Sequence, residues 1–272
     1  MTPFALGALV GLLLALTGAG GGILAVPLLV FALRMGVAQA APIGLLAVGL
    51  AAATSAALGL RDGIVRYRAA ALMGGLALVL APLGVAAAQR VPNAPLTIAF
   101  AAVLALAAWR MWQRARLAAR ACEGEGTAKD TLPCVIDARD GRLVWTRPCA
   151  QALALTGVTA GLLSGLLGVG GGFVIVPALT RFTELSVRSV VATSLAVIAL
   201  ASIGGVGAAA WHGAIRWDIA LPFAIGSVVA SLLARLVAAR LAGPRLQQGF
   251  AGVSALVAFL LLLRGMGWLA MR

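Results

Sequence analysis

The sequence predicts an all-α polytopic membrane protein built from two pseudo-symmetric repeats. Three observations carry that expectation. The chain is 62% hydrophobic and only 11% charged, with a mean hydropathy of +1.06, against roughly 45–50% apolar and 25% charged in soluble domains. Apolar runs near the ~20 residues that a hydrocarbon core requires recur along the whole length. Finally, GAGGGILAVP at 18–27 returns as GVGGGFVIVP at 168–177, a spacing of 150 residues. The opening MTPFALGALVGLLLALTGAGGG has no basic region and runs on into further apolar sequence, so it is expected to be mature protein and not a signal peptide.

The first apolar stretch covers 4–33 and is interrupted at Gly18–Gly22, and further segments follow at 37–60, 69–89 and 94–112. A polar stretch from Arg114 to Arg147 precedes a second set at 150–180, 188–210, 219–239 and 246–263. The expected division is a first transmembrane repeat over 1–113, a linker over 114–149 and a second repeat over 150–272. Within the linker, CVIDARDGRLVW at 134–145 reads as two short strands around a D-G turn.

The duplication needs no gap. Gly11-Leu12-Leu13 falls on Gly161-Leu162-Leu163, Gly20-Gly21-Gly22 on Gly170-Gly171-Gly172, and Val26-Pro27 on Val176-Pro177. Gly63 falls on Gly213, Arg66 on Arg216 and Arg90 on Arg240. In so apolar a chain, Leu and Val coincide by chance, whereas glycine, proline and loop arginine do not.

Charge gives the orientation. A net charge of +13 would suggest nucleic acid in a soluble protein, but here the basic residues lie between apolar segments, so no nucleic-acid partner is expected. Eight Lys/Arg between Arg110 and Arg147 place the linker in the cytoplasm. If each glycine-bearing stretch enters and leaves on one side, 16 of the 21 basic residues share the linker's side; if each spans, 14 do. A continuous helix over 4–33 would also be about 45 Å long, well over the ~30 Å core. Inverted repeats with re-entrant glycine segments are therefore favoured.

Three glycines in a row at mid-segment mark unwound or sharply turned backbone. Hydrocarbon tolerates this only where protein or a water-filled cavity satisfies the freed groups. A half-helix beginning near Gly22 or Gly172 then directs N–H groups and a positive dipole end inward, which suits an anion. Pro27 and Pro177 each lack an N–H, leaving the carbonyls of Ile23 and Phe173 without their helical donors. Gly7-x3-Gly11 and Gly157-x3-Gly161 read as close-packing pairs.

All eight acidic residues lie in the linker or at segment ends, and no apolar run has a carboxylate in its middle. Proton relays and divalent-cation sites in membranes depend on such groups, so no metal or cofactor is expected. Candidate hydroxyl ligands are Thr193-Ser194 with Ser202 beyond, against Ile43-Gly44 and Thr54-Ser55 in the first half. His212, the one histidine, occupies a loop beside Gly213 and aligns with Asp62 beside Gly63, an expected cavity mouth. Trp109, Trp112, Trp211, Trp217 and Trp268 sit at segment ends as interfacial anchors do. Cys122, Cys134 and Cys149 are odd in number and match no zinc spacing, so they are expected to be reduced thiols.

At GLLSGLLGVGGGFVIVPAL (161–179), its weaker copy GLLLALTGAGGGILAVPLL (11–29) and VATSLAVIALASIGG (191–205) followed by HGAIRW (212–217), the sequence resembles the sulfite exporter TauE/SafE family. The resemblance covers nearly the whole chain. It implies a permease for small sulfur-containing anions, such as sulfite or an organosulfonate, in a bacterial inner membrane. It also implies that Gly170–Gly172, Pro177, Thr193 and Ser194 belong to the site region.

The expected function is a secondary transporter, not an enzyme. The anion is held at the midplane by Gly20, Gly21, Gly22, Ile23, Gly170, Gly171, Gly172, Phe173, Thr193 and Ser194. Pro27, Pro177, Gly63, Gly213 and His212 are the expected structural or gating positions, with an arginine at the mouth. The partners are the sulfur anion and the bilayer, and homo-oligomerisation stays open. Two alternatives are an anion channel with a glycine-lined filter and a membrane-embedded sulfur-relay or redox protein using the linker cysteines.

Overall fold

The computed structural model describes residues 3–121, 134, 146–241 and 244–265. Those residues are helical almost throughout. The first half contains α1 (Pro3–Thr17), a 3-10 segment (Gly18–Leu24), α2 (Ala25–Ala32), α3 (Val37–Arg61), α4 (Tyr67–Arg90) and α5 (Asn93–Ala121). The second contains α6 (Arg147–Leu167), α7 (Gly172–Phe182), α8 (Val187–Trp211), α9 (Trp217–Leu241) and α10 (Pro244–Gly265). Helices are what an apolar solvent demands, because each backbone donor is met within its own segment. Six of them among the described residues, α3, α4, α5, α6, α8 and α9, are long and apolar enough to cross a membrane. The all-α polytopic class follows. The predicted hairpin at 134–145 lies outside the described residues except for Cys134, which forms an isolated bridge with Thr183.

Large apolar side chains cover the outer faces, among them Val79 and Leu83 on α4, Ile203 on α8, and Leu221, Ile225 and Leu233 on α9. A helix greasy on all sides is at home only where its outer face meets lipid. Small residues fill the contacts between helices, as expected where apolar burial alone does not drive association. Gly7 and Gly11 of α1 rest on the backbone of Phe223 and Ser227 of α9, while Gly157 and Gly161 of α6 rest on Met73 and Ala77 of α4. All four partners keep the 150-residue spacing of the glycines themselves. The expected glycine packing pairs are thus present, and their partners are α9 and α4.

The same contacts fix helix directions. Residue numbers rise together along α1 and α9 and along α4 and α6, so each pair is parallel. Across α3 and α8 they run oppositely: Leu45 meets Gly205, Gly49 meets Ser202 and Gly59 meets Ala192. These two central helices occupy equivalent positions in the two halves of the sequence, yet they are antiparallel.

Both turns after them end alike. Gly63 and Gly213 adopt left-handed backbone (φ +68° and +63°), with Ile64 N–H donating to Gly59 and Ala214 N–H to Ala209. Because α3 and α8 are antiparallel, the two turns lie at opposite ends of the pair.

Candidate functional site

The two glycine segments reverse the chain inside the bundle. A Cβ on Gly21 would strike the backbone of Leu13 and Leu14, and one on Gly171 would lie 2.7 Å from the Ala160 carbonyl. In a continuous helix Gly171 would stand about 16 Å beyond Ala160, so the chain has doubled back. By composition α6 is long enough to span, yet it stops at Gly168, where left-handed backbone (φ +71°) begins the return.

The halves reverse by different means. In the second, Gly170 and Gly171 are also left-handed (φ +74° and +70°), and Gly171 caps the N-terminus of α7. The first bonds of that helix run from Val174 and Ile175 to the Gly171 carbonyl, so the Gly172 and Phe173 N–H groups precede them. In the first half, Gly20, Gly21, Gly22 and Ile23 lie in a 3-10 segment that continues directly into α2 at Ala25. That helix therefore begins three residues after Gly22 and has no abrupt N-terminus. Pro27 is the third residue of α2, within one turn of its junction with the 3-10 segment. Pro177 lies in the middle of α7, so its missing N–H does remove a bond to Phe173.

The two reversals meet halfway along the central helices. A Cβ on Gly22 would come within 2.8 Å of Val48 and 3.5 Å of the Val169 carbonyl, and one on Gly170 within 2.7 Å of Ile198 and 3.5 Å of Val48. Val48 and Ile198 are equivalent residues near the middles of α3 and α8, and both are fully buried. Spacing alone does not reveal these two as the floor of the site. The structure thus brings Gly22 and Gly170 together, with Gly171, Gly172 and Phe173 adjoining.

It does not bring the predicted hydroxyls there. Thr193 and Ser194 are fully buried near the start of α8. The Thr193 Oγ1 accepts from the Arg66 N–H at 3.1 Å, pinning the α3–α4 turn, while the Ser194 Oγ donates to its own helix at the Val191 carbonyl, 2.7 Å. Ser189 joins the same junction, donating to the Ile64 carbonyl at 2.9 Å. His212 caps α8 at its far end and is exposed, away from the glycine reversals.

Other polar atoms are buried with no hydrogen-bond partner among the described residues: the Oγ of Ser164, Ser202, Ser227 and Ser254, and the Nε of Arg66. Arg66 stands at the α3–α4 turn beside Thr193. Of the four serines, only Ser202 is among the hydroxyls expected from the sequence. The sole signal for Ser164 is a hydroxyl inside the apolar run GLLSGLL.

The cysteines depart from expectation. Cys134 and Cys149 form a disulfide and are buried. The Cys134 N–H also donates to the Phe182 carbonyl at 3.1 Å. One residue of the linker is thereby tied both to the first turn of α6 and to the end of α7. Counting cysteines cannot reveal this pair; proximity of the helix ends creates it, and Cys122 lies outside the described residues. Among the described residues no group of three or more His, Cys, Asp or Glu could hold a metal ion.

Two broken hairpins meeting inside a membrane-helix bundle put non-helical backbone at membrane depth, where protein shelters it, as membrane transporters do. Comparison with known proteins agrees, and the chain belongs to the family described as sulfite exporter TauE/SafE, whose model matches residues 4–261. It is 29% identical over 243 residues to a probable membrane transporter protein of Xylella fastidiosa strain Temecula1, covering 88% of this chain and 85% of the relative. It is also 29% identical to the corresponding protein of strain 9a5c, covering 86% and 83%. A stretch of 55 residues is 49% identical to a probable membrane transporter protein of Methanocaldococcus jannaschii, 20% of each chain. No solved structure matches.

Proposed function

We propose that this membrane transporter is a permease for a small sulfur-containing anion, such as sulfite in its bisulfite form or an organosulfonate, in a bacterial inner membrane. The observation that carries the reading is the meeting of the two glycine reversals at Val48 and Ile198, with the N-terminus of α7 opening there. N–H groups at a helix N-terminus favour an anion, and no apolar segment supplies a carboxylate to repel it. The printed description of the family, a sulfite exporter, agrees in substrate class.

The two repeats, 1–113 and 150–272, are inverted in this reading. Equivalent helices α3 and α8 run antiparallel, as an axis in the membrane plane requires, and the reversed glycine segments leave three crossings per half. Transport proceeds as one repeat rocks against the other, exposing the glycine centre alternately. Arg66, at the linker end of α4, attracts the anion to that mouth. The eight basic residues from Arg110 to Arg147 favour a cytoplasmic linker.

Tracer counterflow in proteoliposomes tests the reading, with sulfite, sulfoacetate, thiosulfate, sulfate and chloride as candidates and Gly171→Leu as control. Saturable exchange of one or two sulfur anions, lost in the variant, is the expected result. Absence of exchange for every anion by the folded wild-type protein would refute it.

The disulfide favours a second reading, in which the linker cysteines do redox chemistry and transport is secondary. If Cys122, Cys134 and Cys149 are all replaced by Ser and counterflow persists, that reading fails.

A further inference from the structure

We infer that Ser164 and Ser202 donate the hydroxyl hydrogen bonds to a monovalent oxyanion at the α7 N-terminus, the role sequence reasoning assigns to Thr193 and Ser194. The inference rests on the permease reading for its substrate class, and on geometry of its own for the site.

Ala160, whose carbonyl and Cβ touch the position of Gly171, lies one helical turn before Ser164 on α6. Residues four apart share a helix face, so Ser164 is on the face that the returning chain follows. That return starts at Gly168, whose N–H donates to the Ser164 carbonyl at 2.8 Å, and reaches the level of Ala160 by Gly171. It therefore passes Ser164 on the way. On α8, Ile198 touches the position of Gly170, and Ser202 lies one turn beyond it. The Ser202 Oγ would be 2.6 Å from a Cβ at Gly49, next to Val48, so the missing side chain at Gly49 makes room for the hydroxyl.

Both hydroxyls are at least nine-tenths buried, at 0% and 4% exposure, and neither has a partner among the described residues. A serine in a membrane helix readily donates to the carbonyl a turn back, as Ser194 and Ser231 do here. Ser164 and Ser202 do not, and a buried hydroxyl without a partner is costly. Two O–H donors and the first N–H groups of α7 suit an anion with three oxygens and one charge. No lysine or arginine is within the reversals to offset a second charge, so a sulfonate or bisulfite fits and sulfate does not.

The test uses the full-length protein in detergent, with methanesulfonate and bisulfite as probes and ligand-induced thermal stabilisation as readout. Ser164→Ala and Ser202→Ala each remove a hydroxyl with no internal partner, so the apo proteins should melt at or above the wild type. Their affinity for methanesulfonate should fall roughly ten- to hundredfold, the loss of one hydrogen bond to a charged group, and Ser→Thr should retain more than Ser→Ala. Gly49→Ala should weaken binding too, by displacing the Ser202 hydroxyl. Unchanged affinity in both alanine variants, a lowered apo melting temperature with unchanged affinity, or no stabilisation of the wild type by either probe overturns the inference. Serine-dependent binding without counterflow would uphold the site and sink the permease reading. Counterflow with an unaltered KM in both variants would do the reverse.

Discussion

Replacing Gly171 by Ala should be far more damaging than the same change at Gly63, and the structure says by how much. Both glycines have left-handed backbone, φ +70° and +68°, which costs an L-residue about 1–2 kcal/mol. At Gly63 nothing lies within 4 Å of an added Cβ, so that strain is the whole cost. At Gly171 the Cβ would sit 2.7 Å from the Ala160 carbonyl oxygen and 3.0 Å from its Cβ. Neither neighbour is the end of a flexible side chain, so the hairpin itself must open. Overpacking of this kind adds about 1–3 kcal/mol, bringing Gly171→Ala to about 2–5 kcal/mol. Thermal unfolding of the two purified variants in detergent measures the difference, with Gly63→Asn as a milder control because asparagine tolerates this backbone. Gly171→Ala should lower the melting temperature about 1.5 to 4 times as far as Gly63→Ala. Equal, small effects would mean that α6 and α7 are not in close contact at the reversal, and the re-entrant geometry would fall with that contact.

Thr193→Val should destabilise the protein by about 1–3 kcal/mol, since the Arg66 N–H loses its acceptor, yet leave anion affinity unchanged; denaturation and ligand titration check both halves of the statement. Cys134 and Cys149 should resist alkylation in the unfolded, unreduced protein and react after reduction, read by mass spectrometry; reactivity of both without reduction would contradict the bond. A reporter fused after Arg272 should lie on the opposite side of the membrane from one inserted in the linker at 122–133, because three crossings separate the linker from the C-terminus in the inverted arrangement. Finding both reporters on one side would favour parallel repeats.

The segment boundaries were legible because one signal, unbroken hydrophobicity, sets them. The stretches at 37–60 and 188–210 become α3 over Val37–Arg61 and α8 over Val187–Trp211. The glycine reversals were legible too, since three glycines and a proline in an apolar run have few other uses. What each residue faces was not. Gly7 and Gly11 announce a close contact without naming α9 as the partner. Thr193 and Ser202 are both hydroxyls on one apolar helix, and only the packing of the α3–α4 turn shows that the first is occupied. Nor could the sequence distinguish the two reversals: GAGGG becomes 3-10 helix running straight into α2, whereas GVGGG breaks the chain and starts α7 afresh.

That difference extends through the whole duplication. At the positions equivalent to the second half's buried Ser164, Thr193 and Ser202, the first half carries Leu14, Ile43 and Ala52. Thr156, Ser227 and Ser231, also buried, correspond to Leu6, Ala77 and Ala81. The glycines and prolines that shape the backbone are shared, while the buried hydroxyls among the described residues, Thr97 apart, lie in the second half. A twofold scaffold explains such a division. The alternating exposure proposed above needs two packings of similar energy, which shared backbone geometry and the matching glycine contacts of α1 on α9 and α6 on α4 can supply. Recognition of a single small anion needs no symmetry, and a second set of buried hydroxyls would add unpaired groups in hydrocarbon whenever the site was empty. An apolar first half spares the protein that cost, and among the described residues the one clean helix N-terminus of the two reversals is in the half that carries the unpartnered Ser164 and Ser202 hydroxyls.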